Sequence, residues 1–387
     1  MLPGNGANGM TPLFCYGTLR HVPLLEIVLG RPLDGLHVSE AILPDHAVCQ
    51  VKDQSFPMIV PENGAQAAGL LIRDLTASDI ARLEFYESGF ERNLNPVQVT
   101  PEAGTPESAQ VFFADASLWS PGDPWSLQDW VNEWAALSCR AATEVMDYFG
   151  VKSDADIARL FPMITARAAA SLNAVAGRRP TSPSGMSCAN VKVVDHIRAY
   201  TDFFAMDEYN LSFDRFDGSS SAVVKRSVFL GGDAAIVLPY DPVRDRVLLV
   251  EQMRMGPFGR GDPDVWQLEP VAGRLDAGEA PEDTARREAL EEAGVTLGRI
   301  ETVAECYPSP GSSSEFFYIY VGLADLHDGL AATGGLVSEH EDIRSHLIDF
   351  DRLMEMTESF AVKNAPLALA ALWLARHRDR LRKSGAE

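Results

Sequence analysis

The sequence is poor in cysteine, in basic residues and in long apolar runs. Its five cysteines are scattered from Cys15 to Cys306 without CxxC or Cys/His spacing, so neither a disulfide framework nor a structural zinc site is indicated. Lys and Arg number 33 against 55 Asp and Glu, and the net charge of −22 disfavours binding to nucleic acid or anionic membranes. No stretch approaches the roughly 18 apolar residues that span a bilayer, and the N-terminus lacks signal-peptide features. We therefore expect a cytoplasmic protein without nucleic-acid or membrane partners.

The length of 387 residues exceeds one ordinary domain, and 46% hydrophobic residues allow a packed core throughout. Short apolar runs such as PMIVPENG and AAGLLIRDL, broken by turn residues, predict an α+β barrel or sheet domain over residues 12–117. Two long helical patterns predict a helical extension over 118–177, and a Pro/Gly/Ser-rich linker follows over 178–188. Over 189–387, longer strands alternate with helices, which favours an α/β/α sandwich.

The strongest motif is GRLDAGEAPEDTARREALEEAGV, which runs from Gly273 to Val295. Pro281 to Ala293 has a strong helical pattern, and Glu288, Glu291 and Glu292 then fall on one helix face, where their charges repel. A divalent cation would relieve that repulsion, and a glycine at Gly273 lets a backbone carbonyl approach such an ion. The alternative is a solvated acidic helix surface, which the pentapeptide EALEE alone would favour.

The full motif matches the Nudix box position by position, and residues 190–385 resemble the ADP-ribose pyrophosphatases of that family in AAIVLPYDPVRDRVLLVEQMRMG, YPSPGSSSE and SEHEDIRSH. The resemblance implies an α/β/α Nudix fold and hydrolysis of ADP-ribose to AMP and ribose 5-phosphate with Mg²⁺, with Mn²⁺ as the alternative ion. It assigns metal binding to the carbonyl of Ala272 and to Glu288, Glu291, Glu292 and Glu341.

The resemblance also assigns catalytic roles. Glu339 is expected to act as the base and Glu292 to serve catalysis as well as metal binding. Arg287 is expected to brace Glu279 behind the metal ligands, from another side of the helix. An exposed acidic loop is the alternative interpretation for Glu339 and Glu341.

Substrate binding calls for an aromatic ring to stack on adenine and an arginine to hold phosphate. Phe203 or Phe204 and Arg226 or Arg254 match family positions for these tasks, although each could be core or surface. The remaining substrate-binding candidates in this half of the chain are Arg274, Ser309, Pro310, Gly311 and Glu315. The chain reads LGGD where the family often has a further arginine, so its substrate preference could differ.

A second, weaker motif lies in the N-terminal region. FCYGTLR followed by FYESGFERN resembles the γ-glutamylcyclotransferase-like (AIG2-like) fold over about residues 12–117. The resemblance implies that a turn holds the substrate carboxylate and that Glu87 is the general acid/base. The residues of that turn are Tyr16, Gly17, Thr18 and Leu19. The alternative is a barrel that has lost its chemistry and serves as a binding or dimer-positioning module.

The combined interpretation is a two-domain Nudix hydrolase. FDRFDGSSSAVVKRSVFL matches the segment through which relatives exchange strands, so a homodimer is expected. The fused architecture also resembles proteins labelled as tellurite-resistance proteins, which names a phenotype rather than a reaction. Two alternatives remain, namely hydrolysis of another nucleoside diphosphate sugar, and a ligand-sensing stress-response protein with an idle metal site.

Overall fold

The chain folds into two compact units, Met1–Ala168 and Ala169–Glu387. In the computed structural model, the described residues are 11–88, 92–176, 182–330, 333–335 and 342–384. The described helices include none that is long and apolar enough to cross a membrane.

The N-terminal unit is built on a closed five-stranded barrel. Its strands are β1 (Leu13–Cys15), β2 (His37–Val51), β3 (Pro57–Arg73), β4 (Arg92–Pro101) and β5 (Glu107–Ala114), and β6 (Pro121–Pro124) is added at the edge of β2. The order is β3-β1-β5-β4-β2, and the pairing of β2 with β3 closes the ring. Phe14, Leu71, Val99 and Val111 fill part of its interior. The expected barrel fold is therefore confirmed.

One segment of the barrel combines a continuous strand with an interrupted pairing. The letters PENG suggest a break, and β3 continues through them as one strand, but Pro61 pairs with His46 and Gln66 with Pro44, so the residues between Pro61 and Gln66 have no pairing partner in β2. An irregularity in the pairing between Pro44 and His46 accommodates the extra residues, and Gly64 donates its N–H to Asp45 at 2.8 Å. The register irregularity takes up what the sequence suggested was a turn.

Helices cover one part of this unit. They are α1 (Val22–Leu29), α2 (Ala77–Ser88), α3 (Leu127–Glu133), α4 (Ala135–Asp147) and α5 (Asp154–Val175). The first helical pattern of the extension is split at Trp134 into α3 and α4. Leu24 of α1, Leu83 of α2, Val145 of α4 and Ile164 of α5 share one core, so the extension packs within the N-terminal unit.

The C-terminal unit contains a large and a small sheet. The strands are β7 (Val191–Thr201), β8 (Ala205–Phe213), β9 (Val224–Leu230), β10 (Ala234–Asp241), β11 (Arg246–Met253), β12 (Trp266–Glu269), β13 (Val271–Arg274), β14 (Ile300–Cys306), β15 (Phe317–Leu323), β16 (Thr333–Gly334) and β17 (Ile343–Asp349). The large sheet has the order β14-β15-β10-β11-β17-β16, with β12 paired to β11 and β13 to β10. The small sheet is β7-β8-β9.

Helices pack on both faces of the large sheet. They are α6 (Met255–Arg260), α7 (Pro281–Ala293), α8 (Phe350–Glu358) and α9 (Ala365–Ser384). Ala285 and Ala289 of α7 belong to the core on one face, and Leu353 of α8 with Leu367 and Leu374 of α9 belong to the core on the other. This arrangement confirms the α/β/α sandwich, and α7 has the bounds that the helical pattern predicts.

Candidate active site

The site is centred where α7 packs against β13. Pro281 begins α7 and Gly294, with a φ of 64°, ends it in a left-handed conformation that glycine adopts readily. The absent side chain of Gly273 makes room for the Glu288 carboxylate, because a Cβ built on Gly273 would overlap that group. Glycine at this position thus lets a carboxylate of α7 lie directly against the backbone of β13.

The second inward carboxylate is Glu292, one turn further along α7. Its residue is only 2% exposed, and its Oε2 accepts the backbone N–H of Ala272 at 3.3 Å. Glu291 differs, since its side chain is 33% exposed and accepts from Arg287 at 3.2 Å. The structure therefore places Glu288 and Glu292 against the β13 backbone and Glu291 nearer to solvent.

Arg287 joins the acidic groups of the site. It donates two hydrogen bonds to Glu279, at 3.0 and 2.9 Å, and one each to Glu288 and Glu291. Burial raises the pKa of Glu279, but hydrogen bonds from Arg287 and Thr284 outweigh it, so the net pKa is lowered. The pKa of Arg287 is raised, and the hydrogen bond that Arg287 donates to Glu279 is the largest cause. Arg287 therefore pairs with Glu279 as expected. It also contacts Glu288 and Glu291 and so offsets part of the repulsion between these two carboxylates.

The donor atoms on this surface suit a hard divalent cation. Glu288 and Glu292 place carboxylate oxygens on a rigid helix beside the backbone of Ala272 and Gly273, and oxygen ligands are those that Mg²⁺ and Mn²⁺ prefer. Within the described residues, no three His, Cys, Asp or Glu side chains form a cluster able to hold a metal. Glu339 and Glu341, the predicted loop glutamates, lie outside the described residues.

A group of predicted substrate residues lies next to the box glycine. The guanidinium of Arg274 stacks on the ring of Phe203, 4.1 Å from its centroid. Glu315 is close enough to Arg274 for its pKa to be affected, yet burial dominates and the pKa of Glu315 is raised. A Cβ on Gly231 would overlap Glu315, so Gly231, part of the divergent LGGD segment, makes room for this carboxylate.

The other predicted substrate residues have different surroundings. Phe204 packs on Phe229 and also edge-on against Phe203, with ring centroids 4.8 Å apart in each pair. Arg254 donates to Glu269 at 2.7 Å, while Arg226 is exposed on β9 and donates to a neighbouring backbone carbonyl. The loop holding Ser309, Pro310 and Gly311 is joined to β9 through backbone hydrogen bonds of Phe229 with Ser312 and Ser314. Arg274 is thus linked to Phe203 and to Glu315, whereas Arg254 pairs with Glu269 and Arg226 donates to a backbone carbonyl of its own strand.

The structure also brings together the N-terminal candidates. Tyr16, Gly17, Thr18 and Leu19 follow β1, and together with Glu87 of α2 they line a small cavity of about 20 Å³. Glu87 is 2% exposed, and burial, with a further contribution from the charge of Glu87, raises the pKa of the Cys15 thiol. A Cβ on Gly17 would approach Pro57 within 2.9 Å, so this turn needs glycine. A buried carboxylate beside a turn is suited to proton transfer.

Sequence reasoning missed two features near these sites. A Cβ on Gly334 of β16 would overlap the backbone carbonyl of Glu292, and a lone TGG triplet gave no reason to expect that proximity. Helices α4 and α5 line a larger cavity that also contains Glu87, although their patterns indicated only a helical core. Both features depend on contacts between residues far apart in the sequence.

Comparisons with known proteins match each half of the chain. A family model described as "NUDIX domain" matches residues 231–368, and one described as "Gamma-glutamyl cyclotransferase, AIG2-like" matches residues 13–132. An "ADP-ribose pyrophosphatase" of Escherichia coli (strain K12) is 38% identical over 199 residues, covering 51% of this chain and 93% of the relative. The protein of that name in Haemophilus influenzae (strain ATCC 51907 / DSM 11121 / KW20 / Rd) is 31% identical, covering 50% and 90%.

A third relative is named for a different substrate. A "GDP-mannose pyrophosphatase" of Salmonella paratyphi B (strain ATCC BAA-1250 / SPB7) is 34% identical over 150 residues, covering 39% of this chain and 77% of the relative. Nudix hydrolases generally use a divalent metal ion, which the carboxylates beside Gly273 fit. The chain therefore belongs to the Nudix family of pyrophosphohydrolases and carries a γ-glutamyl cyclotransferase, AIG2-like domain ahead of its Nudix domain.

Proposed function

We propose that the C-terminal unit hydrolyses the pyrophosphate bond of ADP-ribose, giving AMP and ribose 5-phosphate, with Mg²⁺ as its ion and Mn²⁺ as an alternative. The observation that carries the proposal is the contact of the Glu288 carboxylate with the backbone at Gly273, beside the buried Glu292. The identity to ADP-ribose pyrophosphatases over nearly their whole length supports the choice of substrate.

The proposed roles follow from the oxygen donors and from the resemblance. Glu288, Glu292 and the Ala272 carbonyl would hold the ion, with Glu291 at the outer side and Glu341 as a further ligand. A divalent ion bound there would neutralise charge on the two phosphates. Glu339 accepts the proton of the attacking water, and the bridging P–O bond breaks as the new P–O bond forms.

Positioning of the acids is assigned to Arg287. Its fork binds Glu279 through two nitrogens and also reaches Glu288, so the carboxylate that touches Gly273 is held from the side. Preorganised ligands of this kind reduce the rearrangement that binding an ion would otherwise require.

The proposed nucleotide end of the site is formed by Phe203, Arg274 and Glu315. The stacked Arg274–Phe203 pair offers a flat surface and a fork for phosphate or adenine. Phe204 and Arg254 are alternatives whose observed contacts are with Phe229 and Glu269. We assign the loop of Ser309 to Gly311 to substrate contact as well.

A second substrate class competes with ADP-ribose. The LGGD segment departs from the family, and one relative is named for GDP-mannose. A panel of nucleoside diphosphate sugars decides between them, because the main proposal requires ADP-ribose to have the highest kcat/KM. Absence of turnover across the panel would favour the sensor with an idle metal site.

The experiment for the metal assignment is Glu288→Gln with Glu282→Gln as its matched control. Glu282 is exposed in the first turn of the same helix. We expect Glu288→Gln to lose several orders of magnitude in turnover with an unchanged melting temperature, and Glu282→Gln to retain activity. Near-normal turnover by Glu288→Gln contradicts the assignment.

We also propose a homodimer in the cytoplasm. The small sheet exposes several large apolar side chains, among them Val193, Ile197 and Tyr200 of β7, which suits burial against a second copy. All five cysteines are free thiols, which suits a reducing compartment. Sedimentation of the purified chain tests the dimer, since a monomer at micromolar concentration contradicts it.

The cavities around Glu87 favour a second candidate activity, in which the N-terminal unit releases 5-oxoproline from γ-glutamyl amines. Glu87 would move the proton and the turn at Gly17 would hold the carboxylate. Glu87→Gln should abolish release, whereas Glu84→Gln, exposed on the same helix, should not. If the unaltered chain releases none, the domain is a binding module.

A further inference from the structure

The N-terminal unit contains a cavity of about 100 Å³ that reaches beyond the residues of the AIG2-like match. Thr18, Phe56 and Glu87 line it from the barrel, and Trp130 lines it from α3. The family match ends at residue 132, whereas α4 and α5 begin after it. A large part of the wall is therefore supplied by helices that the family match does not include.

Helices α4 and α5 each present one face to this cavity. The lining positions are Leu137, Ser138, Ala141 and Ala142 on α4 and Phe161 and Thr165 on α5. These spacings place each set on a single helix face. The side chains of Arg167 and Glu144 join the two helices through a buried ion pair of 2.6 Å, so the wall is held in place.

Glu87 lies between two cavities. The smaller one, of about 20 Å³, is lined by the turn at Gly17, and it shares Thr18 and Glu87 with the larger one. A ligand bound in both cavities would pass the Glu87 carboxylate, with one end toward the turn and the other toward α4 and α5. The turn and the helices thus face different parts of such a ligand.

The residues that line the larger cavity restrict the chemistry of the ligand end that faces α4 and α5. Among the described residues that line it, Glu87 is the only carboxylate and none is Lys, Arg or His. An amine or other N–H donor is favoured beside Glu87, and an acid is disfavoured. The volume of about 100 Å³ is below the ~150 Å³ of a cavity that holds one benzene ring, so the cavity favours an alkyl group of about three carbons over a ring.

We propose that α4 and α5 form the selectivity wall of the N-terminal site, which takes compact apolar amines or their amides and rejects acids and larger rings. The inference rests on the N-terminal site of the second proposed activity, but it concerns which ligands bind rather than whether they are turned over. Ser138 of α4 and Phe161 of α5 are the wall residues that set the size of ligand that the cavity accepts.

The test is ligand-observed NMR titration of the full chain with propan-2-amine and its matched acid, 2-methylpropanoate. We expect the amine to bind about tenfold more tightly or better, because a second carboxylate beside Glu87 would be repelled and none of the described lining residues is cationic. Ser138→Phe fills the cavity and should weaken amine binding at least tenfold. The control Thr143→Phe, on the exposed part of α4, should bind as the unaltered chain does.

A variant that gains a ligand distinguishes a change in selectivity from a failure to fold. Phe161→Ala enlarges the cavity and should bring 2-phenylethylamine, which we expect the unaltered chain to bind poorly, to the affinity of propan-2-amine. Equal binding of amine and acid, unchanged binding by Ser138→Phe, or no gain in Phe161→Ala overturns the inference. Release of 5-oxoproline is measured separately, so amine binding without turnover rejects the second activity and leaves the inference standing.

Discussion

Replacing Gly273 by alanine tests the geometry of the box directly. The new Cβ would lie well inside 3.0 Å of the Glu288 carboxylate, a separation that real Cβ atoms essentially never show. Because the overlapping atoms belong to the end of a side chain, Glu288 rather than the backbone is expected to move. It must retreat by about 1 Å, and misplacement on that scale costs an enzyme roughly 10²-fold in rate.

Stability should change far less than activity. Overpacking in a core typically costs about 1–3 kcal/mol, and a displaced Glu288 side chain, 14% exposed here, can move toward solvent. We therefore expect Gly273→Ala to fold, to lose about 10²-fold in kcat/KM for ADP-ribose, and to need more Mg²⁺ for half-maximal rate.

The assay compares Gly273→Ala with Gly259→Ala across a Mg²⁺ titration. Gly259 is in the same unit, and a Cβ built there meets nothing within 4 Å. The control should match the unaltered chain in rate and melting temperature. Equal rates for the two variants would refute the claim that Glu288 works from its position against Gly273.

Three further predictions concern other parts of the molecule. Glu292→Gln should lower turnover more than Glu291→Gln in the same assay, because Glu292 is buried beside β13 while Glu291 is partly exposed. Asp79→Asn should reduce the free energy of unfolding of the N-terminal unit by about 1–3 kcal/mol at pH 7, because the Arg31 guanidinium, followed by bonds from Thr76, lowers the pKa of Asp79 to about 2. The unaltered carboxylate is favoured above pH 4 and protonates as pH falls toward 2, so denaturant titrations should show the deficit shrinking there. Ile197→Asp, on the exposed small sheet, should convert the dimer into monomers in sedimentation experiments.

The box was predictable because its signal is local. The bounds of α7 follow from Pro281 and the glycine after Ala293, and helical spacing alone brings Glu288 and Glu292 to one face. Spacing also allows Arg287 to reach Glu291, four residues further along the helix, but it could not show that Glu291 is the most exposed of the three carboxylates. That difference arises from packing against β13.

The cavity wall was not predictable for the opposite reason. Trp130 and the apolar residues of α4 have the spacing of an ordinary core, and nothing local distinguishes a cavity from a filled core. The continuation of β3 through PENG was also missed, because the strand keeps its direction across a break in its pairing with β2. The helical spacing likewise gave no sign of the break between α3 and α4 at Trp134.

The most direct test of the central claim is hydrolysis of ADP-ribose by the purified chain with and without Mg²⁺, with products separated by chromatography. The account predicts equal amounts of AMP and ribose 5-phosphate, formed only when the ion is present and nearly absent in Glu288→Gln. Products other than these, or turnover that persists without any divalent ion, would contradict it.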